Sequence, residues 1–296
     1  MRYELWSSPI INASSDKETI EITETFLKLI NSEFSGNEAL SIEGLPVKSS
    51  LYKLNKKSNS TAIRLQLGPS YMHQSINFPD SYELYLKQMS SRSRKSVQYS
   101  QRKIKKDFDV KLFKCEEPVQ IEKFLNDAIE ISKTTYQWNL LGLGLRDRDE
   151  LKKTLLKWHK QDSLCSYLLY CDDIPVAFML GYIYNDCYYY IDVGYAQQWG
   201  KHSVGSVLQL EVIEDLYSLN CTPRNFDFST GYGEHKARFG NKEQEEVNIL
   251  IMPNTLKNIL VCKLYVYIDK SSSFIVNVLD NLGIKKQIKR LIRQRS

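Results

Sequence analysis

A chain of 296 residues, 42% of them apolar, is long enough for one large domain or two small ones around a sizeable core. No run approaches the ~20 apolar residues of a membrane span, and the N-terminus lacks the apolar stretch of a secretory signal, so a cytoplasmic protein is expected. The net charge of +5 is uneven: residues 92–106 hold seven Lys or Arg and no acid, residues 285–295 hold six and no acid, and the remainder sits at −8.

In chain order, residues 18–29 read as a helix, 58–60 as loop and 63–67 as a strand, giving a smaller α/β unit over residues 1–80. Pro79 precedes a long helix or helix pair over 81–106. Apolar spacing of three and four marks amphipathic helices at 119–135 and 147–160. Strands at 166–171 and 176–184 flank the hairpin signal Asp172-Asp173-Ile174-Pro175, and a third strand, 187–195, follows the turn signal Asn185-Asp186. A helix over 205–219, strands at 226–228 and 246–252, and helices at 254–269 and 275–295 complete the reading.

The six cysteines (Cys115, Cys165, Cys171, Cys187, Cys221, Cys262) have no C-x-x-C spacing and mostly sit in or beside apolar runs. They read as reduced core residues. The four histidines, His73, His159, His202 and His235, are not paired at ligand spacing, so no metal site is expected.

The most informative stretch runs from Tyr188 to Phe239. A tyrosine-rich strand enters a polar, Gly-containing loop, which feeds a helix beginning near Val204. Such a junction offers orphan backbone N–H groups and the positive end of a helix dipole to a phosphate. An ordinary strand-to-helix connection is the alternative. On the next strand, alternation places Asp227 on the face opposite Phe226 and Phe228. Its carboxylate can face a cleft, there to orient a substrate or accept a proton, or it can pair with Lys236. His235 can accept a proton near neutral pH, or serve as a satisfied structural histidine. Asp192, interrupting the strand, is a candidate general base or a structural carboxylate.

Several segments together resemble the GNAT acyl-CoA acyltransferases. Residues 197–206 (QQWGKHSVGS) stand where that superfamily has its Q/R-x-x-G-x-G/A loop. Residues 226–236 (FDFSTGYGEHK) resemble the F-D-F-x-x-G and Tyr-Lys pattern of its cellulose-biosynthesis branch, a relative of the Fem-type peptidoglycan aminoacyltransferases. Residues 81–106 and 134–145 (TTYQWNLLGLGL) resemble two further segments of that branch. The likeness covers roughly residues 75–245. His235 departs from it, standing where the branch has Tyr.

The resemblance implies an α/β fold: a mixed central sheet flanked by helices, with a reduced GNAT-like N-terminal half at 1–80 and the acyltransferase domain at 81–296. It implies acetyl-CoA or another acyl-CoA as co-substrate. Val193, Gly194 and Tyr195 would meet the thioester end, and Lys201, His202, Ser203, Val204, Gly205 and Ser206 the pyrophosphate. Lys236, Asp227, His235 and Asp192 would be the catalytic candidates, with an amine or hydroxyl of a sugar or surface-polysaccharide precursor as acceptor. Tyr136, Gln137, Trp138 and Tyr232 would line the acceptor side, by stacking and amide contacts suited to sugars; core packing is the other reading of Trp138. An aminoacyl-tRNA-dependent transferase of the Fem kind and a non-catalytic binding module are the competing readings.

The basic helix near residues 92–106 lacks interleaved aromatics except Tyr99, and a solvated face suits it better than nucleic acid, with binding of an anionic polymer or lipid-linked substrate the second reading. In the tail, Ile284, Ile288, Leu291 and Ile292 form a stripe opposite Lys285, Lys286, Lys289, Arg290 and Arg293. That pattern fits a helix on an anionic membrane surface at the inner face, or one docked on the protein.

Overall fold

The computed structural model describes residues 2–6, 16–34, 38–54, 62–135, 138, 144–229 and 233–281. The chain divides into two compact units. One gathers residues 1–73, 230–232 and 244–295; the other gathers residues 74–229 and 233–243.

In the first unit, β1 (Arg2–Trp6) pairs in parallel with β2 (Ala39–Pro46), and β2 pairs antiparallel with the last strand, Lys242–Pro253. Helices α1 (Asp16–Glu33) and α2 (Ser50–Leu54) accompany them. Leu27 and Ile30 of α1 pack with Ile42, Leu45, Leu51, Val247, Ile249 and Ile251 in one apolar cluster. Strand β3 (Ala62–Asn77) is far longer than the 63–67 expected. The Gly68-Pro69-Ser70 run reads as a break, yet the strand passes through it, with Gly68 taking φ +75°.

The second unit begins with the last residues of β3. The expected 81–106 segment is a helix pair, α3 (Tyr82–Gln88) and α4 (Ser91–Asp107). Two serines separate them: Ser81 Oγ accepts from Leu84 N–H and Ser90 Oγ from Ser93 N–H, each at 3.2 Å. Strand β4 (Val110–Cys115) was not foreseen; it alternates only weakly, and Lys111 and Lys114 break its apolar run. Helix α5 (Pro118–Lys133) starts with Pro at its first position and a Glu117/Gln120 capping box. Helix α6 (Arg148–Lys160) is capped by Asp147, whose side chain accepts from Glu150 N–H at 3.0 Å.

Strands β5 (Ser166–Cys171), β6 (Ile174–Tyr184) and β7 (Cys187–Tyr195) form the expected antiparallel run. Both hairpin loops are two residues long with positive φ at each: Asp172 (50°) and Asp173 (65°), then Asn185 (47°) and Asp186 (58°). This is the geometry that matches the strand twist, and Asp and Asn tolerate it best after Gly. Ile174 and Pro175, expected in the first turn, instead open β6, where a missing N–H costs nothing in the ladder.

After β7 come a 3₁₀ helix (Gln197–His202), α7 (Val204–Ser218), β8 (Asn225–Asp227), α8 (Glu234–Phe239) and β9 (Lys242–Pro253). In the second unit the strand order is β3-β8-β7-β6-β5-β4. Apolar clusters cover both faces of this sheet. Val204, Val207, Leu208, Val212, Ile213 and Leu216 of α7 pack on one, and Phe124, Leu125, Ala128 and Leu155 of α5 and α6 on the other. The break expected between C-terminal helices at 254–269 and 275–295 is absent, because α9 (Leu256–Asn281) runs continuously through residues 270–274; residues 282–295 lie outside the described residues. The tail stripe from Ile284 onward lies outside the described residues, as does the loop expected at 58–60. No described helix is long and apolar enough to cross a membrane.

Candidate functional site

Strand β7 is the axis of the site. It pairs in parallel with β8 over only three residues, Cys187 with Asn225, Tyr188 with Phe226 and Tyr189 with Asp227. Beyond Tyr189 the two strands part. On its other side β7 stays on β6, but with a bulge: Leu180 faces Asp192 while Gly181 faces Tyr190, so Ile191 is the extra residue. A bulge bends and twists its strand, which here coincides with the parting. Ala196 N–H donates to Val176 O on β6. Alternation therefore turns the N–H groups of Val193 and Tyr195 toward the gap.

The gap is rimmed by titratable groups. Asp192 is largely buried, and desolvation raises its pKa above the ordinary carboxylate value, partly offset by the Val193 N–H bond. That bond is specific: Asp192 Oδ1 accepts from Val193 N–H at 2.8 Å. Of the two N–H groups facing the gap, one is thus already held by the chain's own carboxylate. The Tyr190 hydroxyl lies 3.5 Å from His235 Nε2. Burial raises the Tyr190 pKa well beyond its usual value, so it stays protonated. His235 stands at the surface, yet desolvation first, then the cations of Lys236 and Arg238, hold its pKa below 6.5. The imidazole is therefore neutral at physiological pH.

Phe226 and Phe228 are fully buried and Asp227 is half-buried between them, the alternation expected from sequence. Asp227 Oδ1 accepts from Ser229 N–H at 2.6 Å, closing a turn in which Ser229 takes φ +61°. Lys236 is buried on α8, its ammonium donating to Ser229 O at 3.3 Å. Burial lowers the Lys236 pKa and the charge of Asp227 opposes that shift. Asp227 and Lys236 thus share the Ser229 turn, while Asp192, Tyr190 and His235 border the gap.

The phosphate side lies where β7 runs into α7. Ser203 caps α7 in the left-handed region, φ 56°, and its side chain makes no capping bond. Its carbonyl accepts from both Ser206 N–H (2.9 Å) and Val207 N–H (3.0 Å). The N–H groups of Val204 and Gly205 precede the first intrahelical bond, and helix geometry gives them no acceptor within the helix. Gly205 also lets the Tyr195 ring approach: a Cβ there would stand 3.2 Å from Tyr195 Cδ1. Arg238 Nη1 donates to Ser206 Oγ at 3.4 Å, bringing a cation to the first turn of α7. Lys201 is exposed. His202 packs edge-on against Phe108, ring centroids 5.3 Å apart, and beside Trp199 at 5.5 Å, which ties the 3₁₀ helix to the end of α4.

Among the expected acceptor residues, Trp138 is described. The Arg146 guanidinium lies over its ring at 4.3 Å and also donates to its carbonyl. Tyr136, Gln137 and Tyr232 lie outside the described residues. Sequence reasoning missed Tyr190 and Arg238. The alternation of the Tyr188–Tyr190 run could have flagged Tyr190; nothing in the sequence brings Arg238 to Ser206, since α8 itself was not foreseen. Among the described residues no group of three or more His, Cys, Asp or Glu could hold a metal.

Residues 91–237, about half of the chain, match the family model described as acetyltransferase (GNAT) domain. The match takes in α4, the five strands β4 to β8, the bulge, the α7 junction and His235 and Lys236, and over these residues the chain is similar to a GNAT domain. No curated protein matches the chain. Among solved structures, one described as FemX matches with a TM-score of 0.61 and 11% identity, over 88% of this chain and 82% of that one. The C-terminal domain of a putative lysylphosphatidylglycerol synthetase from Agrobacterium fabrum matches with a TM-score of 0.54 and 9% identity, over 90% and 82%. A conserved protein of unknown function from Bacteroides thetaiotaomicron matches with a TM-score of 0.54 and 12% identity, over 84% and 78%. At these identities the likeness is one of fold. The branch for cellulose biosynthesis, expected from the sequence motifs, is not among these findings.

Proposed function

We propose that this protein transfers an acyl group from an acyl-CoA, acetyl-CoA first among the candidates, to an amine or hydroxyl of a sugar or surface-polysaccharide precursor. The observation that carries the donor half is the parting of β7 from β8 at the Ile191 bulge, immediately ahead of the α7 junction. A pantetheine arm can lie in that gap like an added strand, and its pyrophosphate at the N–H groups of Val204 and Gly205, with Arg238 adding charge.

In this reading the acceptor nucleophile attacks the thioester carbonyl carbon directly. Neutral His235 Nε2 takes the proton from the attacking nitrogen or oxygen. The tetrahedral oxyanion is held by backbone N–H at 193–195, with Tyr195 N–H the donor that its position on β7 turns into the gap. When the carbon–sulfur bond breaks, the Tyr190 hydroxyl protonates the departing thiolate, and the proton on His235 returns to Tyr190 across their 3.5 Å contact. Asp227 and Lys236 hold the Ser229 turn beside this pair and border the acceptor.

A second reading has an aminoacyl group as cargo. Two observations favour it: the fold likeness to FemX and to the lysylphosphatidylglycerol synthetase domain extends over most of the chain, and the Asp192 carboxylate already occupies the Val193 N–H. Calorimetric titration with CoA and acetyl-CoA separates the readings. Saturable binding that weakens in Arg238→Ala supports the first; absence of binding to either nucleotide, with the fold intact, favours the second.

A further inference from the structure

Among the described residues, α9 carries seven of the eighteen exposed large apolar side chains, Val266 among them. Its inward face is narrow. Asn258 is buried and anchored to Pro253 O at 2.9 Å, while Ile259, Cys262 and Tyr265 are half-buried. On the other side Leu256 is 82% exposed, Leu260 66%, Leu264 60%, Tyr267 71% and Ile268 56%, and Val261 is exposed as well. At ~100° per residue these six fall within an arc of about 140°, opposite the inward face. A contiguous apolar strip of this kind is unusual on a soluble surface and marks an interaction site.

We propose that this face of α9 lies in the interface of an anionic membrane. Charge selects this occupant. Lys257 falls within the apolar arc and Lys263 at its border, and the exposed acid Asp269 falls outside the arc. The sequence that follows α9 carries Lys285, Lys286, Lys289, Arg290, Arg293 and Arg295 and no acid over the same span. An apolar helix face combined with a cationic flank is the chemistry of interfacial binding: the apolar side chains enter the acyl boundary and the cations stay with the headgroups. Each cation near an anionic leaflet adds to the attraction, which fades within a Debye length of ~8 Å at physiological salt.

The test uses the full chain with vesicles of phosphatidylcholine alone and of phosphatidylcholine with phosphatidylglycerol, scored by flotation. Binding is expected to the anionic vesicles at low salt, to fall at least tenfold at high salt, and to be weak on the neutral ones. The variant Leu260→Glu/Leu264→Glu should lose at least tenfold of the vesicle affinity while keeping its melting temperature, because both side chains are exposed. A second variant, Lys285→Gln/Lys286→Gln/Lys289→Gln, should lose affinity without touching the apolar strip. No flotation with anionic vesicles overturns the proposal. So does flotation unaffected by the two glutamates. Concentration-dependent dimers in light scattering, abolished by Leu260→Glu/Leu264→Glu and unaccompanied by vesicle binding, would assign the strip to a second copy instead.

Discussion

Gly205→Val tests the phosphate site where the fold allows the change to be read cleanly. Gly205 is the second residue of α7, in helical conformation, so a β-carbon there meets no backbone barrier. The nearest atom is Tyr195 Cδ1 at 3.2 Å, on a ring that is 47% exposed and free to give way. Relieving that contact should cost about 1 kcal/mol or less, while removing a helical Gly returns roughly 0.5 kcal/mol. Net stability should therefore stay within about 1 kcal/mol of the parent. Binding should respond differently. The branched side chain shields the N–H groups of Val204 and Gly205 from an approaching phosphate. A hydrogen bond to a charged acceptor is worth about 1.5–3 kcal/mol, so losing one weakens CoA binding at least about tenfold. Calorimetry with CoA measures the affinity, and thermal unfolding followed by circular dichroism controls for the fold. Unchanged CoA affinity in a variant that melts normally would refute the site; Gly205→Ala should fall between the two.

Other consequences follow from the same geometry. In Arg238→Ala, CoA affinity should drop about two- to fivefold at low salt and less at high salt, as expected of an exposed charge; a drop independent of salt would argue against a phosphate partner. Because the His235 pKa is lowered, its stabilising contribution is complete above pH 6.5 and is lost as pH falls through the folded value. The acid limb of kcat/KM should likewise lie below pH 6.5, and His235→Gln should abolish that limb; a limb that survives removes His235 as base. Asp192 has the opposite sign: its raised pKa favours the folded state at low pH, and that contribution disappears as pH rises through the folded value. Asp192→Asn, which keeps an acceptor for Val193 N–H, should therefore raise the melting temperature at pH 8 relative to the parent and have little effect near pH 3, where the parent carboxyl is neutral too. In Gly194→Ala the new methyl would stand 2.4 Å from Phe178 Cε1 in the core, and about 1–3 kcal/mol of stability should be lost in urea unfolding. Asp227→Asn should lower kcat far more than CoA affinity, since it removes charge beside Lys236 and leaves β7 intact.

The sequence by itself determined the elements whose signals are local. The two hairpins of β5, β6 and β7 were legible because Asp172-Asp173 and Asn185-Asp186 are residues that tolerate the paired positive φ of a two-residue loop. Helices α3 to α7 were legible from caps and apolar spacing, and the junction at Val204 from a polar Gly-containing loop between strand and helix. The tertiary structure decided what depends on partners distant in the chain. Strand β4 carries lysines in its run and is a strand because it pairs with β5. Strand β3 continues through Gly68-Pro69 although those residues locally signal a stop. The parting of β7 from β8 could not be read from either strand, since it arises where the three-residue pairing of Tyr189 with Asp227 ends and a bulge at Ile191 begins. The same holds for the chemistry. Alternation placed Asp227 between two buried phenylalanines, but only the packed chain brings Tyr190 to His235, Lys236 to Ser229 and Arg238 to Ser206. The pKa shifts there come from burial, which is a property of the assembled sheet and helices and of no single segment.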